Sequence, residues 1–145
     1  MFREANLSDV EAIFLIERMS FFNDHFSRRR LSYLMTSSKG KVLVYERHKQ
    51  ILAYAIVLLH STHRQAKLYS IAVKPNERGY NIGLALLKKC EFVALKLKKG
   101  MSLEVRVSNL RAIRFYKKAG YVQIRLKKRY YDDGEDAYIF AKDLK

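Results

Sequence analysis

Twice along this chain the hydrophobic period changes from two residues to about 3.6, and each change welds a strand to a helix. In the second junction, Leu103, Val105 and Val107 alternate with Glu104, Arg106 and Ser108, so Glu104 lies on the face opposite the apolar one. From Ser108 or Asn109 onward, Leu110, Ile113, Tyr116 and Lys117 fall along one side of a helix that Gly120 ends. In the first junction an apolar run with Ile71 and Val73 is broken by Lys74-Pro75-Asn76. A helical pattern of Ile82, Leu86, Cys90, Val93 and Leu97 follows. Between them stand Gly79, Asn81 and Gly83, residues that tolerate positive φ and let N–H groups converge at a helix start.

The rest of the chain fills in around these junctions. Ser8-Asp9-Val10-Glu11 reads as a capping box opening a helix with Val10, Ile13 and Phe14 on its face, and a second helix from about Ser27 carries Leu31, Leu34 and Met35. Val42, Val44 and Glu46 begin a hairpin that turns near His48-Lys49-Gln50 and continues through Ile51 to His60. Residues 121–128 and 137–142 read as a closing antiparallel pair around Asp132-Asp133-Gly134. The order predicts an α+β fold, a mixed and mostly antiparallel sheet flanked by helices. At 145 residues and 49% hydrophobic the chain suits a single domain over 1–145, with no linker-like stretch. No apolar run reaches membrane-spanning length and the first residues hold no signal-peptide core, so a cytoplasmic protein without membrane association is expected.

Residue chemistry alone leaves alternatives open. Glu104 and Tyr116 are an acid/base pair, or else a solvated strand carboxylate and a core aromatic. The helix start after Gly79 suits an anion, yet matches neither the dinucleotide fingerprint nor the Walker loop. The net charge of +15 is a solvated basic surface in the simpler reading. In the other it is a nucleic-acid face built from Arg28-Arg29-Arg30, Lys88-Lys89, Lys96, Lys98-Lys99, Arg125 and Lys127-Lys128-Arg129. His60 and His63 have no acidic or thiol companion nearby, so no metal is expected. Cys90 sits on an apolar helical face as a small hydrophobe.

Together and in this order the two junctions resemble the Gcn5-related N-acetyltransferases. The family signature Q/R-x-x-G-x-G/A reads here Arg78-Gly79-Tyr80-Asn81-Ile82-Gly83, with Asn81 where the family has a glycine. The second junction, Leu103 to Tyr121, followed by Tyr130-Tyr131-Asp132-Asp133-Gly134-Glu135-Asp136-Ala137, is similar to the ribosomal-protein alanine acetyltransferases and the archaeal protein N-terminal acetyltransferases. The resemblance spans nearly the whole chain.

The resemblance implies acetyl-coenzyme A as donor, its pantetheine arm along Ile71, Ala72 and Val73 and hydrogen-bonded by Asn109. It places the pyrophosphate against Arg78, Gly79, Tyr80, Asn81, Ile82, Gly83 and Leu84. Glu104 then matches the general base, and Tyr116 the acid that protonates the departing thiolate beside the coenzyme. Tyr130 and Tyr131, with Tyr33 facing them from the second helix, would contact the acceptor, the N-terminus of a protein such as a ribosomal protein or nascent chain. An α-amine titrates near ~8 and a lysine near ~10.4, so a modest base such as Glu104 suits the α-amine better. A lysine or small-amine acceptor, and a basic RNA- or ribosome-binding protein without catalysis, are the competing readings.

Overall fold

The computed structural model describes residues 1–21, 26–79 and 81–144. The strands are β1 (Phe2–Glu4), β2 (Gly40–Arg47), β3 (Gln50–Leu58), β4 (Gln65–Val73), β5 (Gly100–Arg106), β6 (Val122–Lys127) and β7 (Ala137–Lys142). They form one seven-stranded sheet in the order β1-β2-β3-β4-β5-β7-β6. The helices are α1 (Val10–Ser20), α2 (Arg28–Thr36), α3 (Ile82–Lys96) and α4 (Leu110–Lys118). Neighbouring strands run antiparallel except β4 and β5, which are parallel and are joined by the crossover helix α3. The expected α+β arrangement is the observed one.

The β2–β3 hairpin turns tightly because His48 and Lys49 both take left-handed backbone conformations, with φ of 52° and 63°. β3 is buried on both faces from Ile51 to Val57, which is why its sequence runs apolar without alternation. On one face α3 and α4 bring Leu86, Leu87, Cys90, Ile113 and Tyr116 against Ala53, Ala55, Leu68, Leu103 and Phe140. On the other, α1 and α2 bring Ile13, Ile16, Leu31 and Leu34 against Val42, Val44, Tyr54 and Ile56. Because α1 lies on β3 and β4 and α2 on β2, the second face of β5 keeps its polar residues uncovered by these helices. Glu104 is on that face.

Several local expectations shift. The capping box is formed by Asn6 and Asp9 rather than by Ser8 and Glu11: the Asn6 side chain accepts from the Ser8 N–H, and the Asp9 carboxylate accepts from the Asn6 N–H at 2.9 Å. A single 3₁₀ turn, Leu7–Asp9, then leads into α1. The buried face of α1 is Ile13, Ile16 and Glu17, with Val10 and Phe14 only half-buried. Leu110 is 62% exposed, since the buried stripe of α4 is Ile113 and Tyr116. α3 buries Ile82, Leu86, Leu87, Cys90 and Ala94, while Leu97 falls outside the helix and is exposed.

Two buried carboxylates are secured by partners, Glu17 from across the sequence and Asp9 from close by. Glu17 accepts from the Tyr54 hydroxyl at 2.6 Å and from the Phe26 N–H at 3.2 Å, and burial followed by the Glu17 charge pushes the Tyr54 phenol well up. Arg3 donates to both oxygens of Asp9, at 2.8 and 3.0 Å, and to Glu46 at 2.7 Å. The Arg3 hydrogen bonds hold the Asp9 carboxyl below its ordinary value, against a burial that would raise it. A carboxylate depressed in the folded state adds stability above its unfolded value and loses it as pH falls. Asp9→Asn should therefore destabilise the protein by about 1–2 kcal/mol at neutral pH, and the difference from wild type should fade below about pH 4. Urea titrations at a series of pH values measure this, and a pH-independent difference would contradict it.

Candidate active site

The parallel ladder between β4 and β5 is short. Among the described residues it joins Gln65 to Gly100, Ala66 to Met101 and Lys67 to Ser102, after which β4 continues along β3 and β5 along β7. An irregularity between Ile56 and Val57 of β3 leaves Tyr69 of β4 as an extra residue, and such a bulge bends a strand away from its neighbour. A gap therefore opens through the sheet beside Ser70 to Val73. Ile71, Ala72 and Val73, expected to line the donor's arm, form that edge of the gap.

The two candidate catalytic residues lie on opposite faces of the sheet. Tyr116 belongs to the core on the α3 and α4 side, with its ring against Phe115 and Tyr121. No described residue hydrogen-bonds its hydroxyl, and burial first, then Cys90 and Tyr131, pushes the phenol upward. Glu104 is on the other face, where its carboxylate pairs with Lys67 and accepts from the Tyr130 hydroxyl at 2.8 Å. Burial, then Glu104, raises the Tyr130 phenol. No contact joins Glu104 to Tyr116 among the described residues. Cys90 is inert in this setting, its thiol pushed up to about 12 by burial.

The start of α3 borders the same gap. Gly79 has φ of 94° and Asn81 φ of 61°, so Asn81 takes the left-handed conformation expected of a residue in a glycine position. No side chain caps α3, and its first helical bond is Ala85 N–H to the Asn81 carbonyl at 3.0 Å. The N–H groups of Ile82, Gly83 and Leu84 thus point outward without acceptors among the described residues. A Cβ built on Gly83 would meet Val73 at 3.6 Å and Phe115 at 3.8 Å, which places the helix start between the β4 edge and α4. Arg78 donates to the Val73 carbonyl at 3.0 Å, and burial followed by the nearby Arg111 lowers its guanidinium. Tyr80 lies outside the described residues.

Sequence reasoning missed a groove of about 590 Å³ along α4, lined by Arg111, Arg114, Phe115, Lys117 and Lys118. Its signal was the recurrence of cations at helical spacing on the polar side of α4. Asn109 caps α4, its side-chain oxygen accepting from the Ala112 N–H at 3.1 Å. Tyr33 is exposed and lies 5.9 Å from the Arg30 guanidinium, which also sits 5.8 Å from the Tyr69 ring. The structure places Tyr33 in that cluster, with no contact to Tyr130 or Tyr131 among the described residues.

Arg106 organises the turn after β6. Its guanidinium lies 4.0 Å over the Tyr131 ring and donates to Asp133 at 2.9 Å and Glu135 at 2.7 Å. The Ser108 N–H donates to Glu135 at 3.0 Å, and Gly134 supplies the required φ of 89°. Asp133 is lowered chiefly by the Glu135 N–H and Glu135 by Ser108, with Arg106 contributing to both. Tyr130 and Tyr131 meet edge to face at 5.0 Å, so the loop presents two phenols beside Glu104.

The pattern of the Acetyltransferase (GNAT) family matches residues 7–121. The chain belongs to this family. This acetyltransferase is 32% identical to the N-alpha-acetyltransferase of Sulfurisphaera tokodaii, over 98% of the chain and 92% of that protein. Its fold superposes on that of Ard1 from Thermoplasma volcanium with a TM-score of 0.89 at 24% identity, covering 100% of this chain and 97% of the other. The ribosomal-protein-S18-alanine N-acetyltransferase from Escherichia coli gives 0.82 at 25% identity, covering 99% and 93%. Among the described residues no helix is long and apolar enough to cross a membrane, and no group of three or more His, Cys, Asp or Glu side chains gathers as metal ligands do.

Because one guanidinium ties β5 to the turn, Arg106→Ala should loosen residues 129–136 without unfolding the sheet. Hydrogen exchange there should accelerate by about tenfold while β3 stays protected. Unchanged exchange in the turn would show that its own hydrogen bonds suffice.

Proposed function

We propose that this acetyltransferase transfers the acetyl group of acetyl-coenzyme A to the α-amine of a protein or peptide N-terminus, a ribosomal protein or nascent chains being the candidate acceptors, and that residues 1–145 form one such domain. The observation that supports the reading is a carboxylate, Glu104, on one face of the sheet and a buried phenol, Tyr116, on the other, in a sheet whose β4–β5 ladder ends after Lys67 and Ser102. The 32% identity to an N-alpha-acetyltransferase supports the choice of amine.

The residues present fit the donor. The β4 edge at Ile71, Ala72 and Val73 offers backbone groups to the amides of a pantetheine arm. Arg78, Gly79, Asn81 and the outward N–H groups of Ile82, Gly83 and Leu84 suit a pyrophosphate, with Tyr80 between them in sequence. Asn109 adds a side-chain amide at the gap's α4 side. Once bound, the coenzyme supplies an activated acetyl thioester. Glu104 would take a proton from the acceptor ammonium, directly or through water; the freed nitrogen lone pair would form the C–N bond as the C–S bond breaks, and the nitrogen's second proton would pass to water, which restores the proton Tyr116 gives up. Tyr116, kept protonated at neutral pH by burial, gives its proton to the leaving thiolate. Tyr130 and Tyr131 line the acceptor side of the gap. Deprotonation at pH 7 costs about 1–1.5 kcal/mol for an α-amine and roughly 4–5 kcal/mol for a lysine, which favours the N-terminus.

Glu104→Gln and Tyr116→Phe should each lower kcat by about 10²-fold or more with coenzyme affinity little changed, since neither side chain faces the helix start. Wild-type rates in both variants would remove the pair from the mechanism. The acceptor is tested with a peptide carrying a free N-terminal Ala or Ser and an internal Lys, against the same peptide blocked at its N-terminus. Acetyl should appear on the α-amine by mass spectrometry. Faster reaction of the blocked peptide would overturn the N-terminal assignment and leave the acetyltransferase standing.

A further inference from the structure

Lys67 carries none of the roles given above, yet it touches the proposed base. The Lys67 ammonium and the Tyr130 hydroxyl converge on the same carboxylate oxygen, Oε1 of Glu104, and lie 3.5 Å from each other. The Glu104 side chain is 11% exposed and that of Lys67 33%. Oε2 of Glu104 has no partner among the described residues, and every fully buried side-chain oxygen or nitrogen there has one. Oε2 is therefore left accessible.

We infer that Lys67 is a positioning residue for Glu104, holding Oε1 so that Oε2 faces the acceptor, and that its fixed charge biases the site toward amines that readily give up a proton. The inference rests on the N-terminal acetylation reading. Two donors on one oxygen restrict rotation of the carboxylate, which preorganises the other oxygen. Electrostatically, the Lys67 and Glu104 charges cancel, so an arriving ammonium gains little attraction and reacts only after losing a proton. An α-amine does so far more easily than a lysine. The pair is also self-consistent: burial would lower Lys67, but the hydrogen bond and charge of Glu104 leave it raised, so the ammonium stays charged at working pH. Of the neighbouring cations, Lys127 lies 5.3 Å over the Tyr130 ring, and Arg106 bonds Asp133 and Glu135.

Lys67→Met is compared with wild type and Lys67→Arg on the free and blocked peptides. The Met variant should lose about tenfold in kcat on the α-amine and show a reduced α-to-lysine selectivity, and the Arg variant should recover both. A merely structural Lys67 would lower both reactions alike and leave the selectivity unmoved, which overturns the inference, as does a wild-type kcat in the Met variant. A second readout needs no turnover. With ¹³C-tyrosine label and Tyr130→Phe to assign the signal, the Tyr130 titration should move to higher pH in Lys67→Met and to lower pH in Glu104→Gln. An unmoved titration in Lys67→Met overturns the clamp in the free enzyme. Should the wild type acetylate only lysine, the N-terminal reading fails and the preference assigned to Lys67 falls with it, while the titration still decides the clamp.

Discussion

The structure turns on a parallel strand pair that stops early. Three residue pairs join β4 to β5, and beyond Lys67 and Ser102 each strand keeps a partner only on its outer side. Unpaired strand edges are expensive inside a protein unless something else satisfies them, and the proposed coenzyme arm would satisfy this one. The Tyr69 bulge gives the divergence its local cause, and the crossover through α3 brings an uncapped helix start to the mouth of the gap. Edge, helix terminus and opening are thus consequences of one topological feature.

The same feature reconciles two residues that a closed sheet would keep apart. Alternation along β5 puts Leu103 and Val105 into the core and Glu104 on the opposite side, while Tyr116 packs into that core from α4. In the proposed mechanism the gap would let a base and an acid on different faces address a single bond. Their settings also differ: the Tyr116 phenol is dry and held neutral, whereas Glu104 is surrounded by Lys67, Tyr130 and a turn braced by Arg106. Separate environments for proton donor and proton acceptor are what acid/base chemistry at one pH requires.

Excess positive charge acquires a partial explanation here. The cations of the α4 groove stand together, with Arg111 near Arg78 and the start of α3. Their field, added to that of the helix terminus, would draw a polyanionic coenzyme toward the gap. Cations elsewhere, such as Lys88 and Lys96 on α3, lie on a solvated helix face.

Sequence periodicity by itself determined strands β2 to β7, the helices, the face on which Glu104 lies and the left-handed position at Asn81, because alternation, helical spacing and backbone tolerance are local properties, while the three-residue β1 is too short to carry a period. It also located the turn between Tyr130 and Ala137. Long-range partnerships were beyond its reach: Glu17 with Tyr54, Arg3 with Glu46, Arg106 with the Asp133–Glu135 turn, and Lys67 with Glu104. Lys67 reads in sequence as one cation among 29 lysines and arginines, and Leu110 as part of a buried stripe that the helix rotates to solvent. Only tertiary structure decided where β4 leaves β5, and therefore which of these side chains share a site, because strand divergence depends on a bulge and a crossover that leave no periodic trace.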